Sequence, residues 1–235
     1  MSTMITKLNL TIVNVYLVTG PKLVVVDTGA PGRAPKILAA LTKQGFAPAE
    51  VSLILLTHAH SDHAGSAGEL RKATGAPVAV HRGDLDMLRR GDNGRVFPTD
   101  FEAKLSQRFV DRPFPALEPD ILLDDQSDLR ELGLDATMLH TPGHSPGSIS
   151  MLFQNGDAII GDILRGGIMG GMFLSSRPNY PFYLYDLADK PVILDSVQSV
   201  LDRGAQRLYT GHGGPLPRQA VAQWLEKQRR QERSI

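Results

Sequence analysis

An α/β fold, a sheet core covered by helices, is predicted by three observations on this 235-residue chain. Short apolar segments of strand length alternate with helical stretches over most of the sequence. Metal-competent side chains stand just past the ends of several of these segments, each beside glycine, and α/β sheets collect their functional groups at such strand ends. No repeat, low-complexity tract or linker interrupts the pattern. Residues 1–235 are therefore expected to form a single domain, with residues 84–120 and 165–188 as variable segments flanking the site.

Taken in order, Asn14–Val18 and Lys22–Val26 read as strands joined across Gly20-Pro21, and the second ends at Asp27-Thr28-Gly29, where the chain must turn sharply. A helix is predicted from Ala34 to Gln44: Pro35 suits a first turn, Ile37, Leu38 and Leu41 share a face, and Gly45 stops it. The apolar run Val51–Thr57 leads directly into His58-Ala59-His60-Ser61-Asp62-His63, followed by a helix over Ala64–Ala73 and a short strand over Pro77–His81. Between Asp84 and Asp120 the pattern weakens, and Phe97, Phe101, Phe109 and Phe114 alternate with prolines and charges. One or two helices outside the main sheet are expected there, as a packed insertion or a lid over the site. Regularity returns at Ile121, with strands at Asp135–Leu139, Ser148–Phe153, Asp157–Ile160 and Arg207–Thr210. A helix running from Asp189 and Pro191 to Gly204 and an amphipathic C-terminal helix carrying Val221, Trp224 and Leu225 complete the chain.

Composition excludes more than it assigns. Lysine plus arginine equals aspartate plus glutamate at 25 each, so no net field favours nucleic acid or an anionic membrane. Cysteine is absent, which removes disulfides, thiolate ligands and a cysteine nucleophile. No apolar run approaches the ~20 residues that span a bilayer, and no leader-like pattern opens the sequence. A soluble cytoplasmic protein acting on a small molecule is expected, with a homodimer compatible.

The block His58-Ala-His60-Ser-Asp62-His63 holds four potential metal ligands in six residues. Imidazoles and a carboxylate without thiolates suit zinc, iron, manganese or nickel and disfavour a closed structural zinc site. Side chains of an extended segment alternate, so His58 and His60 can point one way, while a turn aims Asp62 and His63 at an adjacent position. Three further blocks repeat the arrangement: His144 in Thr141-Pro-Gly-His-Ser-Pro-Gly147, Asp162 after Ala158-Ile-Ile-Gly, and His212 in Thr210-Gly-His-Gly-Gly214. His58, His60 and His144 would hold one metal and Asp62, His63 and His212 another, with Asp162 bridging. Two divalent cations roughly 3.5–4 Å apart can acidify a shared water and polarise a carbonyl. Zinc is the expected ion, and iron or manganese fits the same donors.

With these residues in place, the HxHxDH block followed by His144, Asp162 and His212 resembles the metallo-β-lactamase-fold superfamily. The resemblance implies an αβ/βα sandwich, two mixed sheets with helices outside and the metals along one edge. It also implies that Asp27, in Val26-Asp-Thr-Gly29, supports the metal loop from behind. Departures from better-known members point to a glyoxalase II-like group of single-domain hydrolases. Cysteine ligands are absent and Asp162 is present, unlike many true metallo-β-lactamases; histidine rather than glutamate stands at position 60, unlike flavodiiron oxidoreductases. Only 49 residues lie between Asp162 and His212, too few for the domain that nucleases of the superfamily insert there. Arg165 stands where acyl-homoserine lactonases often carry tyrosine. The implied chemistry is hydrolysis of a thioester, lactone or carboxylic ester by a metal-bridging hydroxide, with Asp62 both ligand and proton handler. An iron persulfide dioxygenase and a small phosphodiester hydrolase are the competing readings.

Four other features invite a role. Arg165 can pair with a substrate carboxylate or sit at the surface. The stretch from Arg165 to Leu174, rich in glycine and methionine, can be an adaptable wall, an ordinary connection or a contact between subunits. Tyr180, Phe182, Tyr183 and Tyr185 are expected as exposed aromatics in a pocket wall or interface. His81 and His140 are expected to be structural.

Overall fold

The computed structural model describes residues 3–233, without the side chains of residues 108–110, so the expectation for Phe109 lies outside the described residues. The first sheet contains strands β1 (Met4–Asn9), β2 (Asn14–Thr19), β3 (Leu23–Val26), β4 (Val51–Leu55) and β5 (Val78–His81). After the two-residue strand β6 (Phe97–Pro98), its last member is β7 (Ile121–Leu123), giving the order β1-β2-β3-β4-β5-β7. β1, β2 and β3 pair antiparallel, and β3, β4, β5 and β7 pair parallel. The second sheet contains β8 (Ala136–His140), β9 (Ile149–Phe153) and β10 (Asp157–Ile159). Past the hairpin β11 (Arg165–Ile168) and β12 (Phe173–Asn179) and the short β13 (Tyr183–Leu184), it is completed by β14 (Arg207–Tyr209) and β15 (Leu216–Pro217). Its order is β15-β14-β10-β9-β8, mixed in direction.

Strand alternation decides which way each residue packs. In β3 and β4, Val24, Val26, Leu53 and Leu55 meet Ile149, Met151, Phe153 and Ile159 of the second sheet in a shared core. Val25 and Ile54 point the other way, into a layer with Ile37 and Leu41 of α1 (Ala34–Lys43) and Leu70 of α3 (Ala67–Thr74). The outer face of the second sheet is covered by Ile193, Val197 and Val200 of α6 (Lys190–Asp202) and Val221 and Leu225 of α7 (Arg218–Glu232). The molecule is thus a four-layer αβ/βα sandwich. Strands buried on both faces need continuous apolar runs, which is why β3 and β4 read Leu-Val-Val-Val and Val-Ser-Leu-Ile-Leu. Among the described residues, no helix is long and apolar enough to cross a membrane.

Some expectations need correction. The strand before the histidine block ends at Leu55, not Thr57, so His58 and His60 lie in a loop rather than in an extended strand. The helix expected over Ala64–Ala73 is two pieces, α2 (Ser61–Ala64) and α3, and the turn that carries Asp62 and His63 is the helical turn α2. β1 and β7 complete the first sheet at its two edges without having been predicted. Residues 84–120 contribute α4 (Leu85–Arg90), β6 and α5 (Phe101–Val110). The glycine- and methionine-rich segment is the antiparallel hairpin β11–β12, with Met169 and Met172 toward its tip.

Candidate metal centre

Seven side chains from four separate stretches of chain converge at one edge of the sandwich. His58, His60, Asp62 and His63 follow β4, His144 follows β8, Asp162 follows β10 and His212 follows β14. His58, His60 and His144 place ligand atoms within 4.8 Å of one another, as do Asp62, His63 and His212, and Asp162 joins His58 and His63 in a third such group. Asp162 faces both triads, with its carboxylate 3.7 Å from His144 Nε2, 3.5 Å from His63 Nε2 and 3.1 Å from His212 Nε2. Asp62 lies 3.2 Å from His212 Nε2 and 3.8 Å from His63 Nε2. All seven residues named from the sequence are brought together.

The outer nitrogens of the histidines explain which way the inner ones face. His63 Nδ1–H donates to Asp27 Oδ2 at 2.8 Å. His58 Nδ1–H donates to Thr57 Oγ1 at 3.0 Å, and the Thr57 hydroxyl donates to the Asp27 carboxylate. One buried carboxylate therefore orients two histidines, the arrangement that fixes a tautomer and raises ligand basicity. Asp27 adopts φ +63°, a left-handed conformation that aspartate tolerates better than most residues. His144 Nδ1–H donates to Tyr183 O and His212 Nδ1–H to Ile12 O, both at 2.7 Å. With Nδ1 engaged on the outside, all four rings turn Nε2 inward, and on His58 and His144 that atom is unprotonated.

Two features of the interior call for cations. His58 Nε2 and His144 Nε2 stand 3.1 Å apart, lone pair toward lone pair, because the other nitrogen of each ring is already the donor. His60 Nε2, His63 Nε2 and Asp162 Oδ1 are buried without a hydrogen-bond partner, an arrangement native interiors rarely tolerate. Burial, reinforced by neighbouring imidazoles, pushes His58 well down and His60 to about 3; burial also lowers His144, against the opposing charge of Asp162. That triad is neutral and ready to ligate. Burial opposes charge on His63 and His212 too, but the carboxylates, led by Asp162, outweigh it, raising His63 well above its usual value and His212 to about 10. Burial likewise opposes ionisation of Asp62 and Asp162, yet His63 and His212 hold both below the usual carboxylate range. The donor set fits metal ions: neutral imidazoles on one side, and carboxylates demanding positive charge on the other.

Residues that the sequence reading passed over hold the loops. Asp84, at the end of the single helical turn 82–84 that follows β5, accepts from Ala59 N at 2.9 Å, Ser145 Oγ at 2.7 Å and Gly147 N at 2.6 Å. It ties the first histidine loop to the loop carrying His144. Ser61 N donates to Asn93 Oδ1 at 2.7 Å. Asn14 Nδ2 donates to Thr210 O and Gly213 O, both at 2.8 Å, fixing the loop of His212. A charged residue at the C-terminal end of a parallel strand was the available signal for Asp84.

The flanking segments also depart from expectation. Arg165 is neither a free substrate ligand nor a surface residue: it is buried, paired with Asp100 and, at 3.0 Å, with Glu102, and stacked 4.2 Å over Phe182. Phe182 in turn sets its edge against His212 at 5.2 Å. Of the four aromatics expected to be exposed, Tyr183 is buried and Tyr180, Phe182 and Tyr185 are half-buried. Phe182 and Tyr183 line the cleft over the metal ligands. His81 and His140 lie apart from the centre, stacked at 4.4 Å, each with one nitrogen 3.1 Å from Asp125 Oδ1.

Comparison with known proteins agrees with this geometry. The family model of the metallo-beta-lactamase superfamily matches residues 8–212. The chain is 27% identical over 200 residues to a probable metallo-hydrolase, MJ0888, of Methanocaldococcus jannaschii, covering 85% of this chain and 87% of that protein. It is 28% identical over 216 residues to the acyl-coenzyme A thioesterase MBLAC2 of Homo sapiens, covering 85% and 72%. Among solved structures, TTHA1623 in a di-iron-bound form superposes with a TM-score of 0.65 at 27% identity, covering 93% of this chain and 96% of that one. The chain belongs to the metallo-beta-lactamase superfamily of metal-dependent hydrolases.

Proposed function

We propose that this protein holds two divalent cations and hydrolyses a carbonyl ester-type bond: a thioester, a lactone or a carboxylic ester. His58, His60 and His144 would hold one cation, Asp62, His63 and His212 the other, and Asp162 would lie between them. The observation that carries this reading is the pair of facing, unprotonated Nε2 atoms of His58 and His144, beside the unpartnered His60 Nε2, His63 Nε2 and Asp162 Oδ1. Only positive charge reconciles them. When bound, the two cations supply Lewis acidity toward a carbonyl and acidify a water at neutral pH. Zinc is the expected ion; the di-iron form of TTHA1623 keeps iron among the ions to test.

The chain's own residues do the rest. Asp62 is the ligand carboxylate left partly exposed to the cleft, so it is positioned to orient an attacking water and take its proton. Asp27 and Thr57 keep His58 and His63 from rotating. The Tyr183 hydroxyl donates to Ala103 O at 3.0 Å and lies 3.0 Å from Ser106 Oγ, so it braces α5. The likeness to MBLAC2, an acyl-coenzyme A thioesterase, supports an acyl substrate. The test is metal-stripped protein reloaded with zinc, manganese or ferrous ion and assayed on thioesters, lactones, carboxylic esters and phosphodiesters. Two metals per chain with anaerobic cleavage of an acyl bond is the expected result; one iron per chain with oxygen consumption and no hydrolysis would overturn it.

A further inference from the structure

The cleft over the centre has two parts, both largely apolar, of which only one carries cationic side chains. The first is a cavity of about 650 Å3 that opens on His60, His144 and His212. Helix α5 lines one side with Phe101 and Leu105, and the β11–β12 hairpin lines another with Ile168, Met169 and Met172. No lysine or arginine lines it among the described residues. Apart from the ligand carboxylates its charged residue is Glu102, already held by Arg165 and by Gly170 N–H at 3.3 Å. Phe101, Leu105 and Met172 are 79%, 65% and 65% exposed. A contiguous apolar surface of this kind marks a place where something apolar binds. Its walls are preformed, because Arg165 and Glu102 tie the helix to the hairpin.

The second part is a cavity of about 450 Å3 that shares Ile12 and Asp62 with the first and runs on past Pro31 and Pro113. It carries two cations, Arg33 and Arg112. Guanidinium groups suit carboxylate and phosphate. A molecule lying across the centre thus has an apolar trough on one side of Asp62 and two arginines on the other.

Building on the hydrolytic reading above, we propose that the substrate is an amphiphilic acyl ester or thioester. Its acyl chain lies between α5 and the hairpin, its carbonyl sits over the metal ligands, and its leaving group carries an anionic group toward Arg33 and Arg112. Cleavage of the thioester form adds water: the carbonyl carbon gains a bond to the water oxygen and loses its bond to sulfur. The products are a thiol, which keeps one proton, and a carboxylate with release of the other.

The test uses the metal-loaded full chain and a matrix of thioesters. Acyl length runs from acetyl to octanoyl, and the thiol is neutral (N-acetylcysteamine), carboxylate-ended or phosphate-ended. The expected result is a kcat/KM that rises about two- to fourfold per methylene. Anionic thiols are favoured roughly two- to fivefold over the neutral one, an advantage that shrinks with salt; the better of the two identifies the anion. Leu105→Asn, at an exposed position that does not threaten the fold, lowers octanoyl turnover at least tenfold more than acetyl turnover. Arg33→Ala combined with Arg112→Ala moves the anionic-to-neutral ratio toward one. A flat length series, or equal turnover of neutral and anionic thioesters, overturns the proposal. If no thioester or ester is cleaved, the hydrolytic reading fails by itself. Displacement of a fluorescent fatty acid by octanoate then reads the pocket separately: displacement that Leu105→Asn abolishes supports the apolar site, and no binding overturns it.

Discussion

Asp27 shows how much of a metal centre resides in one residue that would touch no metal. Its carboxylate receives His63 directly and His58 through Thr57, from a backbone at φ +63°. Asp27→Ala takes the acceptor from three buried donors, His63 Nδ1–H, the Thr57 hydroxyl and Thr57 N–H, at a cost of about 1–3 kcal/mol for each left unpaired. Metal affinity should fall about ten- to hundredfold, as for other supports of ligand histidines. Competition with a chromophoric chelator measures this, and unchanged affinity would contradict the role given to Asp27. Gly211 is needed for a different reason. A Cβ there would stand 2.0 Å from Asp162 Oδ1 and 2.5 Å from His63 Cε1. Gly211→Ala should therefore lower turnover by roughly two orders of magnitude through misplaced ligands. Gly68→Ala is the matched control: its Cβ meets only Leu117 Cδ1, at 3.7 Å, and helix α3 gains a better helix former. Equal activity of the two variants would contradict the packing argument.

At the scale of elements, the segment that matters most is α5 with the hairpin it faces. Asp100 caps α5 by accepting from Ala103 N at 2.9 Å and also receives Arg165, which carries Glu102 and the Phe182 ring with it. Arg165→Met removes that tie. Because Asp100 and Glu102 keep access to water, the loss of stability should be modest, about 1–2 kcal/mol. The sharper expectation is faster amide exchange in α5 and the hairpin together, while β4 and β5 stay protected; exchange unchanged in both would rule out the tie. The same comparison shows what was legible in the sequence. The seven ligand residues were readable because each follows an apolar strand, and strand ends are where an α/β sheet presents functional groups. Asp84 and Thr57 were not, since they act through backbone and hydroxyl groups brought near only by the fold. Tyr183 O and Ile12 O carry no side-chain signature at all. Arg165 was misread because its partners lie about 65 residues away, on a helix whose position no local pattern encodes.

For the whole molecule, the centre couples folding to protons and metal. His212 is raised from 6.5 to about 10 by Asp162 and Asp62 acting against burial. A folded-state value raised in this way means stability fully present below pH 6.5 and lost as pH climbs through about 10. Metal-free protein should accordingly lose thermal stability across that window, whereas metal-loaded protein, with cations replacing those protons, should change little. Loading should also release protons, read as a dependence of binding enthalpy on buffer ionisation. Identical stability profiles with and without metal would contradict this coupling. If the edge of the sandwich holds two cations sharing one carboxylate, anomalous diffraction from metal-loaded crystals will show both. Two peaks are expected roughly 3.5–4 Å apart, one among His58, His60 and His144, the other among Asp62, His63 and His212, with Asp162 between them. A single peak at saturating metal, or metal confined to His81, Asp125 and His140, would contradict it.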